Sequence, residues 1–244
     1  MSRSTDAVVC VSRADRDTAE AFKLAPAAKL RVIKNGMDFK TARVRKKPVS
    51  LRKELGLERP GFVIGTIARL HRQKGLSYLL RAIPEILRAH PGARVVIAGG
   101  GPLRRRLEDE ARRLGVGDAA LFLGERTDAP ALLGLFDVFV LSSLWEGLPY
   151  VLGEAAAAGI PILATDIEGT REVIRDGENG LLVPPADPAA LALAVNLLLG
   201  DTALRRRLAA SARKAIKEHF DLALMLRLTG ALYRELETTY NQQT

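Results

Sequence analysis

The chain has 244 residues, of which 48% are hydrophobic and 27% charged, with a formal net charge of +9. That is a globular composition, long enough for a sizeable core as one large or two small domains. The single cysteine, Cys10, excludes an internal disulfide framework, and no uninterrupted apolar run approaches the roughly 20 residues of a membrane span.

Short β-branched runs alternate with longer amphipathic segments. The chain opens with "AVVCV" (7–11), a strand that holds Cys10 as a buried filler, followed by a helix and "LAPAAK". A second strand run, "LRVIKN" (30–35), leads into the turn signal "NGMD" (35–38), and a basic, proline-containing stretch at 40–50 reads as a linker. Strand runs follow at "FVIGTIA" (62–68), "ARVVIAG" (93–99), "AALFLG" (119–124), "VFVLSS" (138–143), "PILATD" (161–166) and, more weakly, "GLLVP" (180–184). Most are almost wholly apolar, as expected of strands covered on both faces. Helical patterns lie between them. Residues 74–89 have helical apolar spacing, with Pro84 predicting a kink; 102–115 begin with proline and end with glycine; 187–200 have Asp187 as N-cap and Gly200 as stop. Residues 221–243 read as an amphipathic helix with a polar tail. Repeated β-α-β-α predicts an α/β fold, a doubly wound, Rossmann-like parallel sheet. The expected boundaries are an N-terminal unit at 1–29, a linker at 30–50, a compact α/β domain at 51–219, and a C-terminal helix and tail at 220–244.

Ligands of such sheets sit at the carboxyl ends of the strands. Reading those ends collects cations and glycines on one edge. "RLHRQKG" supplies Arg69, Arg72 and Lys74; "GGGP", "ERTD", "LWEGLPYVLGE" and "IEGTRE" follow the later strands. Arg69 and Lys74 are the candidate anion ligands, since arginine grips phosphate oxygens in pairs and lysine adds a point charge. The plain alternative is a solvated arginine and a helix-start lysine. "GGGP" (99–102) fails the dinucleotide fingerprint, because Arg104 stands where the third glycine belongs and no acidic residue ends the next strand. The P-loop pattern is absent too. His71, His90 and His219 are scattered without ligand spacing, so no metal site is expected.

In "WEGLPYVLGEAAAAGIP" (145–161) the two glutamates, Glu146 and Glu154, invite an acid/base reading. Pro149 suits a first helical turn, which predicts a helix from about Leu148, with Glu146 before it and Glu154 in its second turn. Eight residues of helix would span about 12 Å, a spacing that neither suggests nor excludes a glycosidase pair. The free N–H groups at this helix start make an anion site. The resulting picture is a diphosphate held by backbone amides and two cations, with glutamates accepting from sugar hydroxyls. Trp145 reads as core packing or as a wall of the site.

The basic excess points to nucleic acid, a membrane surface or phosphorylated small molecules as partners. Aromatics make up only 5% of the chain and are not interleaved with the basic clusters at 43–53 and 104–106, which argues against single-strand binding by stacking. The clusters also read as solvated faces. The N-terminus does not read as a signal peptide, so a cytoplasmic protein is expected, with peripheral attachment to a membrane left open.

Together, "IKNGMD" (33–38), "IGTIARLHRQKG" (64–75), "VVIAGGGP" (95–102), "LFLGERTD" (121–128), "EGLPYVLGEAAAAGIPILATD" (146–166) and "ENGLLVPPAD" (178–187) resemble the C-terminal, donor-binding domain of the family 4 glycosyltransferases, retaining enzymes of the GT-B fold. The motifs occur in the family's order over almost the whole chain. The resemblance implies that Arg69 and Lys74 bind the diphosphate of a nucleotide-sugar donor. It implies that Glu154 holds the ribose hydroxyls and that Glu146 contacts the donor sugar. The backbone of Gly147, Leu148 and Pro149 would lie against sugar and phosphates, and Glu125 and Arg126 would flank the base. It implies no cofactor and no metal. Residues 1–29 resemble the end of an N-terminal acceptor domain, which family members possess in full, and the last helix normally crosses back to that domain. The acceptor, a saccharide or lipid, stays unnamed. Three functions are carried forward: a retaining glycosyltransferase or its donor-binding half; a non-catalytic nucleotide-sugar-binding subunit that needs a separate acceptor domain; and a basic nucleic-acid or membrane-surface protein.

Overall fold

All eight apolar runs form strands. The computed structural model describes residues 5–38 and 49–243, so most of the basic stretch at 40–50 and the start of the cluster at 43–53 lie outside the described residues. Strands β3 (Val63–Ile67), β4 (Arg94–Ala98), β5 (Ala120–Gly124), β6 (Val138–Leu141), β7 (Ile162–Thr165) and β8 (Leu181–Val183) make one parallel sheet in the order β5-β4-β3-β6-β7-β8. Counted from β3, this is the doubly wound order 3-2-1-4-5-6, with the topological switch point between β3 and β6. The period of two divides each apolar run between two cores. Ile64, Val95, Ile97, Val138, Val140 and Leu163 face one side, while Val63, Val96, Phe139, Leu141 and Ile162 face the other.

The first face is covered by α3 (Leu76–Ala89), α4 (Arg104–Arg113) and α8 (Pro188–Gly200). Leu79, Leu80, Ile83 and Ile86 of α3 are buried at helical spacing, and the helix continues through Pro84 rather than ending there. The second face is covered by α6 (Tyr150–Ala158) and α9 (Thr202–His219). Short helices α2 (Val49–Glu54) and α5 (Ala129–Leu133) add Leu51, Leu132 and Leu133 to that second face, and a further short helix, α7 (Glu168–Arg171), follows β7.

Asp187 caps α8 as expected, accepting from the Ala190 amide at 2.9 Å. Gly200 is not the stop: it remains helical, and the turn falls on Asp201. That residue ends α8 and caps α9, accepting from the Leu204 amide at 2.8 Å. The chain bends there by 101°, and among the described residues no single helix is long and apolar enough to span a bilayer.

A smaller unit precedes the main sheet. Strands β1 (Val8–Cys10) and β2 (Leu30–Val32) pair in parallel, connected by α1 (Arg13–Ala21). Residues 30–32 were expected to open the linker, yet they complete this sheet, so the change of structure falls after β2. Glu172 ties the unit to the main domain, accepting from the Arg13 amide at 2.9 Å and from Lys34 Nζ at 2.5 Å. Burial pushes the Glu172 carboxyl up, but Lys34 and the amides at the start of α1 outweigh it, and the net shift is downward. The last helix, α10 (Leu222–Gln243), returns to this unit: Arg31 pairs with Glu235 at 3.0 Å, and the Gly36 amide donates to Met225 Sδ at 3.1 Å. Leu226, Tyr233 and Tyr240 of α10 are exposed.

Candidate functional site

The loops leaving β3 and β6 meet at the switch point. After β3, the backbone of Ala68 and Leu70 hydrogen-bonds to Ala98 and Gly100 carbonyls at 2.9 and 2.7 Å, which locks this loop onto "GGGP". The close approach requires glycine. Gly99 has φ +134, and a Cβ there would lie 2.0 Å from the Ala68 oxygen. The triple glycine thus serves as a tight backbone junction. Leu70 is fully buried beneath the loop while Arg69 is exposed. Among the described residues the Arg69 guanidinium has no hydrogen-bond or ion-pair partner.

Lys74 was expected in the first turn of a helix. It ends instead a short 3-10 turn, Arg72–Lys74, and Gly75 separates it from α3. Gly75 adopts φ +58, and a Cβ there would meet the Ser142 oxygen at 2.1 Å. Both facts demand glycine. Ser142, just beyond β6, also donates its hydroxyl to the Lys74 carbonyl at 2.9 Å.

Lys74 Nζ pairs with Glu146 Oε1, and only 15% and 7% of the two side chains remain exposed. Glu146 also accepts from the Ser143 hydroxyl at 2.6 Å and from Gln73 Nε2 at 3.3 Å, while Gln73 Nε2 donates to the Trp145 carbonyl at 2.9 Å. Behind them Thr165 donates to the Ser143 carbonyl and Thr170 to the Thr165 carbonyl, each at 2.5 Å. With only 7% of its side chain exposed, Glu146 stays charged because these partners replace the water it has lost. Sequence reasoning missed Gln73 and Ser143. The signal was the polar pair Ser142-Ser143 at the carboxyl end of an apolar strand.

Glu154 is placed differently. Helix α6 begins at Tyr150, with Pro149 at the cap position and no side chain capping it, two residues later than the start expected at Leu148. Glu146 therefore precedes the helix and Glu154 lies in its second turn. Among the described residues no side chain caps the first turn of α6. The Glu154 carboxylate has no hydrogen-bond or ion-pair partner among the described residues, and burial raises its pKa. Leu148 and Pro149 are buried, while Gly147 faces the small unit: a Cβ on it would come within 3.2 Å of Asp15 Oδ2. Trp145 is 51% exposed, which corrects the core-packing expectation.

The "ERTD" loop divides. Glu125 lies over Gly100, where a Cβ would approach its Oε1 to 2.6 Å. Arg126 is fully engaged, with Nε and Nη2 on Asp128 at 2.6 and 2.8 Å and Nη1 on Glu54 at 2.8 Å. These carboxylates raise its pKa, so its side chain is committed to holding the loop. Among the described residues no group of three or more His, Cys, Asp or Glu side chains could hold a metal ion.

The profile of the family described as glycosyl transferases group 1 matches residues 50–215. A Methanocaldococcus jannaschii protein described as an uncharacterized glycosyltransferase is 32% identical over 93% of this chain and 59% of its own length. Glycogen synthase of Mycobacterium tuberculosis is 32% identical over 95% of this chain and 54% of its own. The chain thus spans little more than half the length of these curated relatives. Anabaena HepE, solved in complex with UDP-glucose, superposes with a TM-score of 0.87 at 26% identity, covering 95% of this chain and 65% of that one.

Proposed function

Because the chain belongs to the glycosyl transferases group 1 family, we propose that it is the donor-binding part of a retaining, family 4 glycosyltransferase that moves a sugar from a nucleotide-sugar to an acceptor hydroxyl. One observation carries the reading. The clamped Lys74–Glu146 couple stands at the switch point of a Rossmann-order sheet, and the same edge presents a cation, Arg69, and a half-buried carboxylate, Glu154, that are both unpaired among the described residues. The UDP-glucose complex of HepE supports a nucleotide-sugar as the ligand class.

In this reading Arg69 and Lys74 take the diphosphate oxygens, and with the α6 amides they stabilise charge as the diphosphate departs. Glu146 accepts from donor-sugar hydroxyls and Glu154 from the ribose. The main chain of Gly147, Leu148 and Pro149 lies against sugar and phosphates. Glu125 and the backbone at Arg126 flank the base. The three groups holding Glu146 favour positioning over nucleophilic attack, in keeping with retention without an enzyme nucleophile.

The greater length of the relatives favours a second reading, in which this chain binds donor and a separate N-terminal domain supplies the acceptor, a saccharide or lipid. The β1–α1–β2 unit is then the end of that domain, and α10 is the helix that crosses back to it. Calorimetry with a panel of nucleotide-sugars that includes UDP-glucose tests the donor site. Binding of at least one, weakened in both Lys74→Ala and Glu154→Ala, is expected; a folded chain that binds none sinks the proposal. Transfer assayed on the chain alone separates the two readings.

A further inference from the structure

A second concavity opens on the other side of the Lys74 turn, a cavity of about 500 Å³ between the start of α3 and the face of α4. That volume lies within the range of small-molecule sites, about 300 to 1,000 Å³. Its floor is apolar, from Leu76, Leu103, Leu107 and Leu144, and its rim carries Arg72, Arg81 and Arg106. Against these three cations stands one lining carboxylate, Glu110, and it is already used. Both Glu110 oxygens accept from the Ser77 hydroxyl, at 2.6 and 2.7 Å, and one accepts from Arg81 Nε at 2.8 Å. Burial pushes the Glu110 carboxyl up, but Ser77 and Arg81 reverse that and the net shift is downward, so it stays ionised.

The Glu110 side chain is 10% exposed and serves as a fixed anchor. Its grip on Nε leaves the other edge of the Arg81 guanidinium without a hydrogen-bond partner among the described residues, with its carbon 5.8 Å over the Tyr78 ring. Arg72 and Arg106 have no hydrogen-bond or ion-pair partner among the described residues. Three guanidinium groups around an apolar floor, one of them oriented by a buried carboxylate, match the demands of a phosphate ester. The forks take the oxygens, and the floor with Tyr78 takes an apolar sugar face.

We propose that this cavity is a second ligand site, which takes a small phosphomonoester of sugar-phosphate size. It uses none of the groups assigned to the donor, so it stands or falls independently of the donor reading. Its wall includes Arg72 and Leu144, and the Leu144 amide donates to the Gln73 carbonyl at 2.7 Å, next to Lys74. The probe is glucose 6-phosphate, titrated by calorimetry beside glucose and inorganic phosphate.

Wild type should bind the ester more tightly than either half. The Arg72→Ala/Arg106→Ala double variant should bind it about tenfold more weakly or worse, the loss expected for charge-assisted contacts. Arg69→Ala should bind as wild type does. Both replaced arginines are exposed, so the fold should survive, and an unchanged circular dichroism melt checks that; Arg106→Glu should weaken binding at least as much. Loss on Arg69→Ala with retention in the double variant puts the ester in the donor crevice and overturns the proposal, as does no heat at millimolar probe. Sedimentation with phosphatidylglycerol vesicles is the second arm. Cosedimentation that depends on Arg72 and Arg106, without binding of the soluble ester, assigns the phosphate to a lipid headgroup and also overturns it.

Discussion

The loop after β6 and the first turns of α6 each hold one glutamate, eight positions apart, in opposite states. Glu146 is almost buried and held by a lysine, a serine and a glutamine. Glu154 is half-buried and held by nothing among the described residues. The first carboxylate belongs to the fold as much as to the ligand. The second is a desolvated acceptor whose partners have to arrive from outside. Two identical side chains in one motif thus answer to different tests, stability for one and binding for the other.

The largest effect should come from breaking the clamp. Lys74→Ala leaves Glu146 desolvated without its cation and should cost about 3 to 5 kcal/mol of stability, read from urea unfolding. Donor binding should fall with it. An unchanged midpoint would show that the pair is loose in solution. Next, Glu154→Gln should weaken donor binding about tenfold to a hundredfold, since hydrogen bonds to a charged acceptor contribute about 1.5 to 3 kcal/mol. It should leave stability equal or higher at neutral pH, which thermal melts would show.

The same contrast has a pH signature. The folded pKa of Glu154 is raised above its unfolded value, so the native state binds the proton more tightly. Its contribution is therefore complete at low pH and is lost as pH rises through the folded pKa. Wild type minus Glu154→Gln stability, followed from acid to neutral pH, should fall with rising pH; a flat difference would refute the desolvation. The smallest effect is expected at Glu172, whose folded pKa is lowered. Stability from it is present above the unfolded pKa and disappears as pH falls through the folded one. Glu172→Gln should speed hydrogen exchange in α1 at neutral pH while leaving the six-stranded sheet unaffected.

The fold was legible because parallel strands covered on both faces must be continuous apolar runs, and all eight stood out. Helix α9 was not singled out. Its arginines and alanines, "TALRRRLAASARKAIKEH", present a narrow apolar face of Leu208, Ala212 and Ile216 that a coarse reading passes over. The helix carrying Glu154 was located to within two residues. The clamp on Glu146 was not visible, because Gln73, Lys74 and Ser143 come from the loops after two strands that adjoin only in the sheet order. Of the two readings of Trp145, core packing failed for a related reason: an aromatic among glycines and leucines looks like core until the loop's direction is known.

Gly75 ends a turn, starts a helix and presses against the Ser142 carbonyl, all at one alpha carbon. In terms of sequence drift, position 75 is isolated. Every substitution meets a wrong backbone angle and an occupied space together, and relief of either leaves the other. Change at this junction would have to begin in the path of the chain after β6, the path that sets where Glu146 stands. Backbone fit at residue 75 and carboxylate position at 146 are therefore set by the same stretch of chain.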